Sequence, residues 1–328
     1  MQLLDLILEI IGWATIGVIG GVMLSQAVGW SGTRVVATLQ ALTPLLALAL
    51  VPIAAIALWQ GLSLMAAAAG AVGLGALILM ASLIFRQSQS RPAGDSAGLR
   101  IALANLLYGN ERIDEVATDL AEHDLDVIVF SEYTAEHQAR LLASQLADGY
   151  PFKIDHSAPL AGGIAIWSRQ AFTVNIPPNT FDPSLDITLA ASPDVNLDAA
   201  SEATADRIRV IAVHPPTPVY DFGEWTEDLA TIARIDIADD TPTLLIGDFN
   251  ATYWHPGFRN LFRIGYVDAH LAAGHVFSAS WPIGKLIPPF VRLDHALTAY
   301  GLVSTDVDDF DIPGSDHRGF VVTVASAH

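Results

Sequence analysis

Residues 244–252 read Leu244, Leu245, Ile246, Gly247, Asp248, Phe249, Asn250, Ala251, Thr252. The run opens wholly apolar, as a strand buried on both faces does. It then passes directly into a glycine, a carboxylate and an amide. Asp248 and Asn250 stand two apart, so in an extended segment they project to the same side and address one target. The same four residues, GDFN, also make good Asx-turn chemistry.

The theme recurs on either side. Residues 99–105 form a short apolar run ending at Asn105. Residues 126–130, DVIVF, run into Ser131 and Glu132, and residues 208–213 run into His214, Pro215 and Pro216. Residues 164–167, 293–297 and 320–324 read as further strands. Helical spacing appears at 113–123 and 224–237. Strands interleaved with helices predict a layered α/β domain. Single polar residues at the ends of buried strands gather on one rim, where such domains build sites. Residues 175–207 are rich in Pro, Asp and Ser and read as an irregular insertion.

The N-terminal part is different. Before Arg86 the only charged residues are Asp5, Glu9 and Arg34. Apolar stretches at 10–29, 35–59 and 62–85 each reach the length of about 20 residues that crosses a hydrocarbon core. They predict three transmembrane helices. A cleaved signal peptide is a poor alternative, because there is no basic leader and two more stretches follow. Gly17, Gly20, Gly21, Gly70, Gly73 and Gly75 allow close helix approach, and Trp13, Trp30 and Trp59 suit the interfaces. The expected organisation is an anchor at 1–85, a polar linker at 86–98 and a catalytic domain at 99–328.

Beyond Pro92 the chain carries 33 of its 35 Asp and Glu residues and 13 of its 16 Lys and Arg residues, a net of −20. Such a field repels polyanions and disfavours long nucleic acid. A bound divalent cation inverts that logic locally. The chain has no cysteine, which excludes disulfides, thiolate metal sites and cysteine nucleophiles.

Six motifs now stand in order: IALANLL with Asn105, VIVFSEY with Glu132, VIAVHPP with His214, LLIGDFNAT with Asp248 and Asn250, RLDHAL with Asp294, and GSDHRGF with Asp316 and His317. The set resembles the endonuclease/exonuclease/phosphatase (DNase I-like) family over residues 99–326. The resemblance implies a four-layered α/β sandwich, two packed mixed β-sheets flanked by helices, and a metal-dependent phosphoesterase. It implies Mg²⁺ or Mn²⁺ as cofactor, held by Glu132, Asn105 and Asp316, hard oxygen ligands suited to such ions. Phosphate would be gripped by Asn105, Asn250 and His214. His317, oriented by Asp294, would activate a water, with Asp248 assisting, the logic of a Ser-His-Asp triad with water in place of serine. Taken singly, each residue has a plainer reading: Glu132 as a surface acid at a strand end, Asn105 as a cap, and Asp294 as a partner of Arg292 or Arg318.

The expected substrate is a lipid or small-molecule phosphoester, with nucleic acid as the alternative and a non-catalytic phosphate-binding protein as a third reading. The bilayer is the expected partner of the N-terminal helices. Arg34, Arg86 and Arg91 argue for a cytoplasmic domain by the positive-inside rule. Bacterial relatives with the same layout are thought to face outward, and that is the expectation carried forward: a bacterial cytoplasmic membrane protein with an extracytoplasmic domain. Tyr133, Trp254, His255, Trp281 and Arg318 lie beside the motifs, where aromatic residues are more often core than substrate contacts. Arg259 and Arg263, spaced i and i+4, read as a solvated helix face.

Overall fold

The computed structural model describes residues 2–88, 98–175, 184–190, 207–235 and 241–326. The chain divides into two units: Met1–Arg86 with Tyr253–Arg259, and Gln87–Thr252 with Asn260–His328.

The first unit holds helices α1 (Gln2–Ala27), α2 (Arg34–Ala41), α3 (Thr43–Trp59) and α4 (Ser63–Ser88). Two of them, over Asp5–Ala27 and Ser63–Gln87, are long and apolar enough to cross a membrane, with mean hydropathy 2.0 and 2.2. The expected third, middle span is corrected: it is a pair of helices, α2 and α3, bent by 73°. The break falls at Leu42, whose φ is −87° and ψ 10°. Pro44 follows in the first turn of α3, where its missing N–H costs nothing but where a helix continuing from α2 would clash with its ring. Buried amides inside the unit are satisfied. Gln26 Nε2 donates to Thr43 Oγ1 at 2.7 Å and Gln40 Nε2 to Ser25 Oγ at 2.9 Å. Arg259 is a second correction. It is buried, and its guanidinium donates to the carbonyl of Gln26 at 2.8 Å.

The second unit contains β1 (Leu99–Asn105), α5 (Ile113–Glu122), β2 (Val127–Ser131), α6 (Ala135–Leu142), β3 (Phe152–His156), β4 (Ile164–Ser168), β5 (Phe172–Val174), β6 (Ser184–Ala190), β7 (Arg207–Val213), α7 (Phe222–Ile232) and β8 (Thr243–Asp248). After α8 (Pro256–Arg263), which begins in the first unit, come β9 (Val267–Asp268), α9 (Ala269–Ala272), β10 (Asp294–Ala299), β11 (Leu302–Asp311) and β12 (Arg318–Ser326).

The strands form two six-stranded sheets, ordered β11-β12-β1-β2-β4-β3 and β5-β6-β7-β8-β10-β9. Both are mixed: β1 and β2 are parallel, as are β7 and β8, and their other neighbours run antiparallel. Alternation along each strand builds the layers. Ile101 and Leu103 of β1 join Val210, Leu244 and Ile246 of the other sheet in the central core. Ala102 and Ala104, one residue over, pack with Val116 and Leu120 of α5 on the outer face. The result is the expected fold of two mixed sheets flanked by helices.

The expected irregular insertion is corrected in part. Ser184–Ala190 is a full strand, paired with β7 along its length. Its Asp186 forms a buried ion pair with Arg209 at 2.5 Å, so a polar-looking segment still sits in a sheet. The rest of that segment, at 176–183 and 191–206, and most of the expected linker, at 89–97, lie outside the described residues. The helix expected at 224–237 ends at Ile232, and residues 236–240 also lie outside the described residues.

Candidate active site

The ends of β1, β2, β7, β8 and β10 and the turn before β12 carry the polar residues in question. β1 and β2 run parallel with Asn105 level with Ser131, so Asn105 and Glu132 leave the sheet side by side. Glu132 turns at φ 55° and Asn250 at φ 48°. A non-glycine residue in that left-handed region stores on the order of 1–3 kcal/mol and is commonest at functional sites. Gly247 is required for packing. A Cβ there would meet the carbonyl oxygen of Val213 at 1.9 Å, and only glycine lets β8 lie that close to β7.

Asn105 is the bridge of the site. Its Nδ2 donates to Asp248 Oδ2 at 3.0 Å and to Glu132 Oε1 at 3.3 Å, while its Oδ1 accepts from the Leu107 amide at 3.0 Å. The other oxygen of Glu132 accepts from the Tyr108 amide at 2.8 Å. Asp248 Oδ1 accepts from the Asn250 amide at 2.8 Å, and the Asn250 side chain donates to the Pro215 carbonyl at 3.0 Å. That contact ties the GDFN turn to the residue following His214. His214 Nε2 lies 3.8 Å from Asp248 Oδ2.

His317 completes the cluster. Its Nδ1 is 2.8 Å from Asp294 Oδ2 and its Nε2 3.8 Å from Asp248 Oδ2. All three are buried. Burial works against a charged ring, but Asp294 and then Asp248 outweigh it and push His317 up to about 10. Burial, and then the neighbouring Asp294, raise Asp248. Burial also opposes ionisation of Asp294, yet the His317 ring and the Ser280 hydrogen bond hold it below the usual carboxylate range.

The side-chain oxygens of Glu132 and Asn105, residues joined by a 3.3 Å hydrogen bond, are donors of the kind a hard divalent cation takes. Carboxylate and imidazole atoms of Asp248, Asp294 and His317 lie within 4.8 Å of one another, all buried. Asp294 Oδ1 and His214 Nδ1 are buried without a hydrogen bond. His317 and Asp294 are joined by a direct hydrogen bond. Glu132 and Asn105 stand beside Asp248 through the amide bridge. Asp316 Oδ2 accepts from the Trp281 indole at 3.3 Å.

Several supporting residues had no signal of their own in the sequence. Ser315 Oγ donates to the Asn105 carbonyl at 2.7 Å and accepts from the His317 amide at 3.0 Å, joining β1 to the SDH turn. Ser280 Oγ accepts from the Asp294 amide, and Arg292 donates to the Asp294 carbonyl at 3.2 Å. His295, on the opposite side of β10, touches Asp268 at 2.9 Å and the Ala251 carbonyl at 3.0 Å. Both ring nitrogens of His295 thus face acceptors. Tyr133 is core, as expected of an aromatic beside a motif, whereas Trp281 reaches the site. Arg318 pairs with Asp311 instead of Asp294.

Residues 102–317 match the Endonuclease/Exonuclease/phosphatase family. The chain belongs to that family. Its members hydrolyse phosphoric esters and generally depend on a divalent metal, and this chain is such a hydrolase. No curated protein sequence matches the chain. Solved structures do. D. rerio TDP2 in complex with a single-strand DNA product is 15% identical, with a TM-score of 0.53 over 70% of this chain and 100% of that one. An AP endonuclease from Archaeoglobus fulgidus is 16% identical, with a TM-score of 0.53 over 69% and 98%. The 3'-5' exonuclease NExo from Neisseria meningitidis is 18% identical, with a TM-score of 0.52 over 69% and 100%. At such identities the likeness is one of fold.

Proposed function

We propose that this hydrolase is a membrane-anchored phosphodiesterase or phosphomonoesterase acting on a lipid or small-molecule phosphoester, with residues 1–85 as anchor, 86–98 as linker and 99–328 as the catalytic part. The observation that carries the chemistry is the buried pair of His317 and Asp294, 2.8 Å apart, with Asp248 at 3.8 Å on the other ring nitrogen.

In this reading Glu132, Asn105 and Asp316 hold Mg²⁺ or Mn²⁺. Bound there, the cation would neutralise charge on the phosphoryl oxygens and would offset the carboxylates around His317. Asp294 keeps the proton of His317 on Nδ1, which leaves Nε2 to receive one. A water between Nε2 and Asp248 attacks phosphorus and gives its proton to Nε2. The bond from phosphorus to the leaving oxygen breaks as the new one forms. Asn250 and His214 orient the phosphate, and His214 donates a hydrogen bond to the leaving oxygen.

The net of −20 beyond Pro92 and the chain's two lysines, Lys153 and Lys285, favour a small or lipid-borne ester over a duplex. The second reading is a nuclease. It draws on the DNA-processing enzymes among the similar structures. Full-length protein in detergent would be assayed on mixed phospholipid and sphingolipid micelles, nucleotide phosphodiesters, and single- and double-stranded DNA. Preference for lipid or nucleotide esters supports the first reading; turnover confined to DNA overturns it. The α1 and α4 helices support residence in a bacterial cytoplasmic membrane, with the catalytic part proposed to face outward.

A further inference from the structure

Between β9 and Asp294 the chain makes a loop whose two ends are fixed and whose tip is apolar and exposed. Trp281 and Val291 close it by an antiparallel bridge, and the Phe290 amide donates to the Trp281 carbonyl at 3.1 Å. The Trp281 and Phe290 rings meet edge to face at 6.0 Å. At the tip Leu286 is 107% exposed and Ile287 58%, followed by Pro288 and Pro289. Single exposed apolar residues are ordinary; adjacent ones held up by a rooted stem are the pattern of a contact surface.

Charge singles out the same loop. Residues 269–293 contain no Asp or Glu, in a domain that is otherwise strongly acidic. Of the chain's two lysines, Lys153 donates to the carbonyls of Ala147 and Tyr150. The other, Lys285, is exposed beside Leu286. The stem lies against the catalytic cluster. The Trp281 indole donates to Asp316 Oδ2 at 3.3 Å and the Ile283 amide to the Asp316 carbonyl at 2.8 Å. Asp316 is next in sequence to His317.

From these observations we propose that the Trp281–Val291 loop docks on a phospholipid bilayer, with Leu286 and Ile287 in the acyl boundary and Lys285 against headgroup phosphates. Apolar side chains flanked by a cation and by stem aromatics are what an interfacial segment requires. The occupant follows from the rest of the chain. Its α1 and α4 helices are long and apolar enough to cross a bilayer, so a lipid surface stays at high effective concentration around the domain. The loop then brings the catalytic cluster to the headgroup layer, and the ester is taken from the membrane. This deepens the function proposed above and rests on it for the substrate, but the docking itself is tested separately.

The chain has no cysteine, so Leu286→Cys in the full-length protein gives a unique position for an environment-sensitive nitrobenzoxadiazole label. Thr118→Cys, on an exposed face of α5, is the control. Both would be placed in nanodiscs of phosphatidylcholine and phosphatidylglycerol. The expected result is a blue-shifted emission at position 286, quenched several-fold by nitroxide-bearing lipids, with no quenching at 118. Emission at 286 matching that at 118 overturns the proposal. Hydrolysis of bis-p-nitrophenyl phosphate by the same samples keeps the two ideas apart. A label in water on an active enzyme sinks the docking alone. A label in lipid on an inactive protein sinks the hydrolytic reading and leaves the docking standing.

Discussion

Asp248 and Asp294 stand directly opposite each other on the antiparallel ladder of β8 and β10. Their carboxyl groups share one face of the sheet, and His317 touches one and approaches the other. Two buried acids so close raise the cost of ionising both, and a cationic ring or metal relieves it. The predictions below start from that arrangement.

Asp294→Asn removes the group that fixes the His317 tautomer and most raises its basicity. Loss of the orienting carboxylate in a triad costs about 10⁴ in kcat; with water as nucleophile, a fall of at least about a hundredfold is expected. The acid limb of the pH–rate profile, which marks loss of the Nε2 acceptor, should move to lower pH, because a histidine without its carboxylate partner titrates lower. A profile unmoved in Asp294→Asn would take His317 out of the proton transfer.

Glu132→Gln keeps the shape of the side chain and removes its charge. Changes around a bound metal weaken affinity by about 10–100-fold. The Mg²⁺ or Mn²⁺ concentration giving half-maximal rate should rise at least about tenfold, with partial recovery at high metal. An unchanged metal dependence would place the cation elsewhere, with the Asp248, Asp294 and His317 group the next candidate.

Asp228 on α7 is buried with Oδ2 unpartnered. Burial, and then Glu224, Glu227 and Asp221, push its carboxyl up to about 6. A carboxyl whose pKa is raised in the fold stabilises the fold while it holds its proton, below about pH 4. That contribution is lost as pH climbs through 6. Asp228→Asn should therefore be more stable than wild type at pH 8, by on the order of 1–2 kcal/mol and about 2–4 °C in Tm. The two proteins should converge at pH 4. Thermal melts at both pH values check it.

Buried Arg292 and partly exposed Asp309 pair at 2.7 Å, and Asp309 also meets Ser278 and His270. Burial opposes ionisation of Asp309, and the His270 and Arg292 contacts overcome it, holding the carboxyl well below the usual range. Arg292→Met leaves that carboxylate with only Ser278 and His270 as partners and should cost about 1–3 kcal/mol, whereas Arg292→Met with Asp309→Leu should recover part of it. Equal losses in the single and double variants, measured by denaturant unfolding, would show that the ion pair is not what stabilises this corner.

Much of the fold was legible because buried strands announce themselves. IALAN, VIVFS, VIAVH and LLIGD are apolar runs, each ending in a polar residue; they predicted a layered α/β domain with a polar rim, and the two packed sheets followed from the family resemblance of the ordered motifs. What was not legible depended on contacts between distant segments. Ser184–Ala190 looked irregular because Asp186 is polar, and its charge is met by Arg209 across the ladder. The bend at Leu42 hid inside a stretch whose average hydropathy reads as one span, although Pro44 was the local signal for it. Arg259 looked solvated by its i,i+4 spacing to Arg263, but it donates to Gln26, over two hundred residues earlier. Ser280, Ser315 and Trp281 brace the site through side-chain hydrogen bonds to distant segments, and no spacing rule foretells those.

The central claim is that the cluster around His317 hydrolyses phosphoesters with a divalent metal. The most direct test is release of p-nitrophenol from bis-p-nitrophenyl phosphate by the purified full-length protein, with Mg²⁺, with Mn²⁺ and with EDTA, beside His317→Ala. The account predicts turnover with metal, none with EDTA, and a loss of at least about a hundredfold in His317→Ala, since general-base catalysis contributes about 10²–10⁴-fold. Turnover that survives EDTA, or that is unaffected by His317→Ala in a protein with wild-type melting, would contradict it.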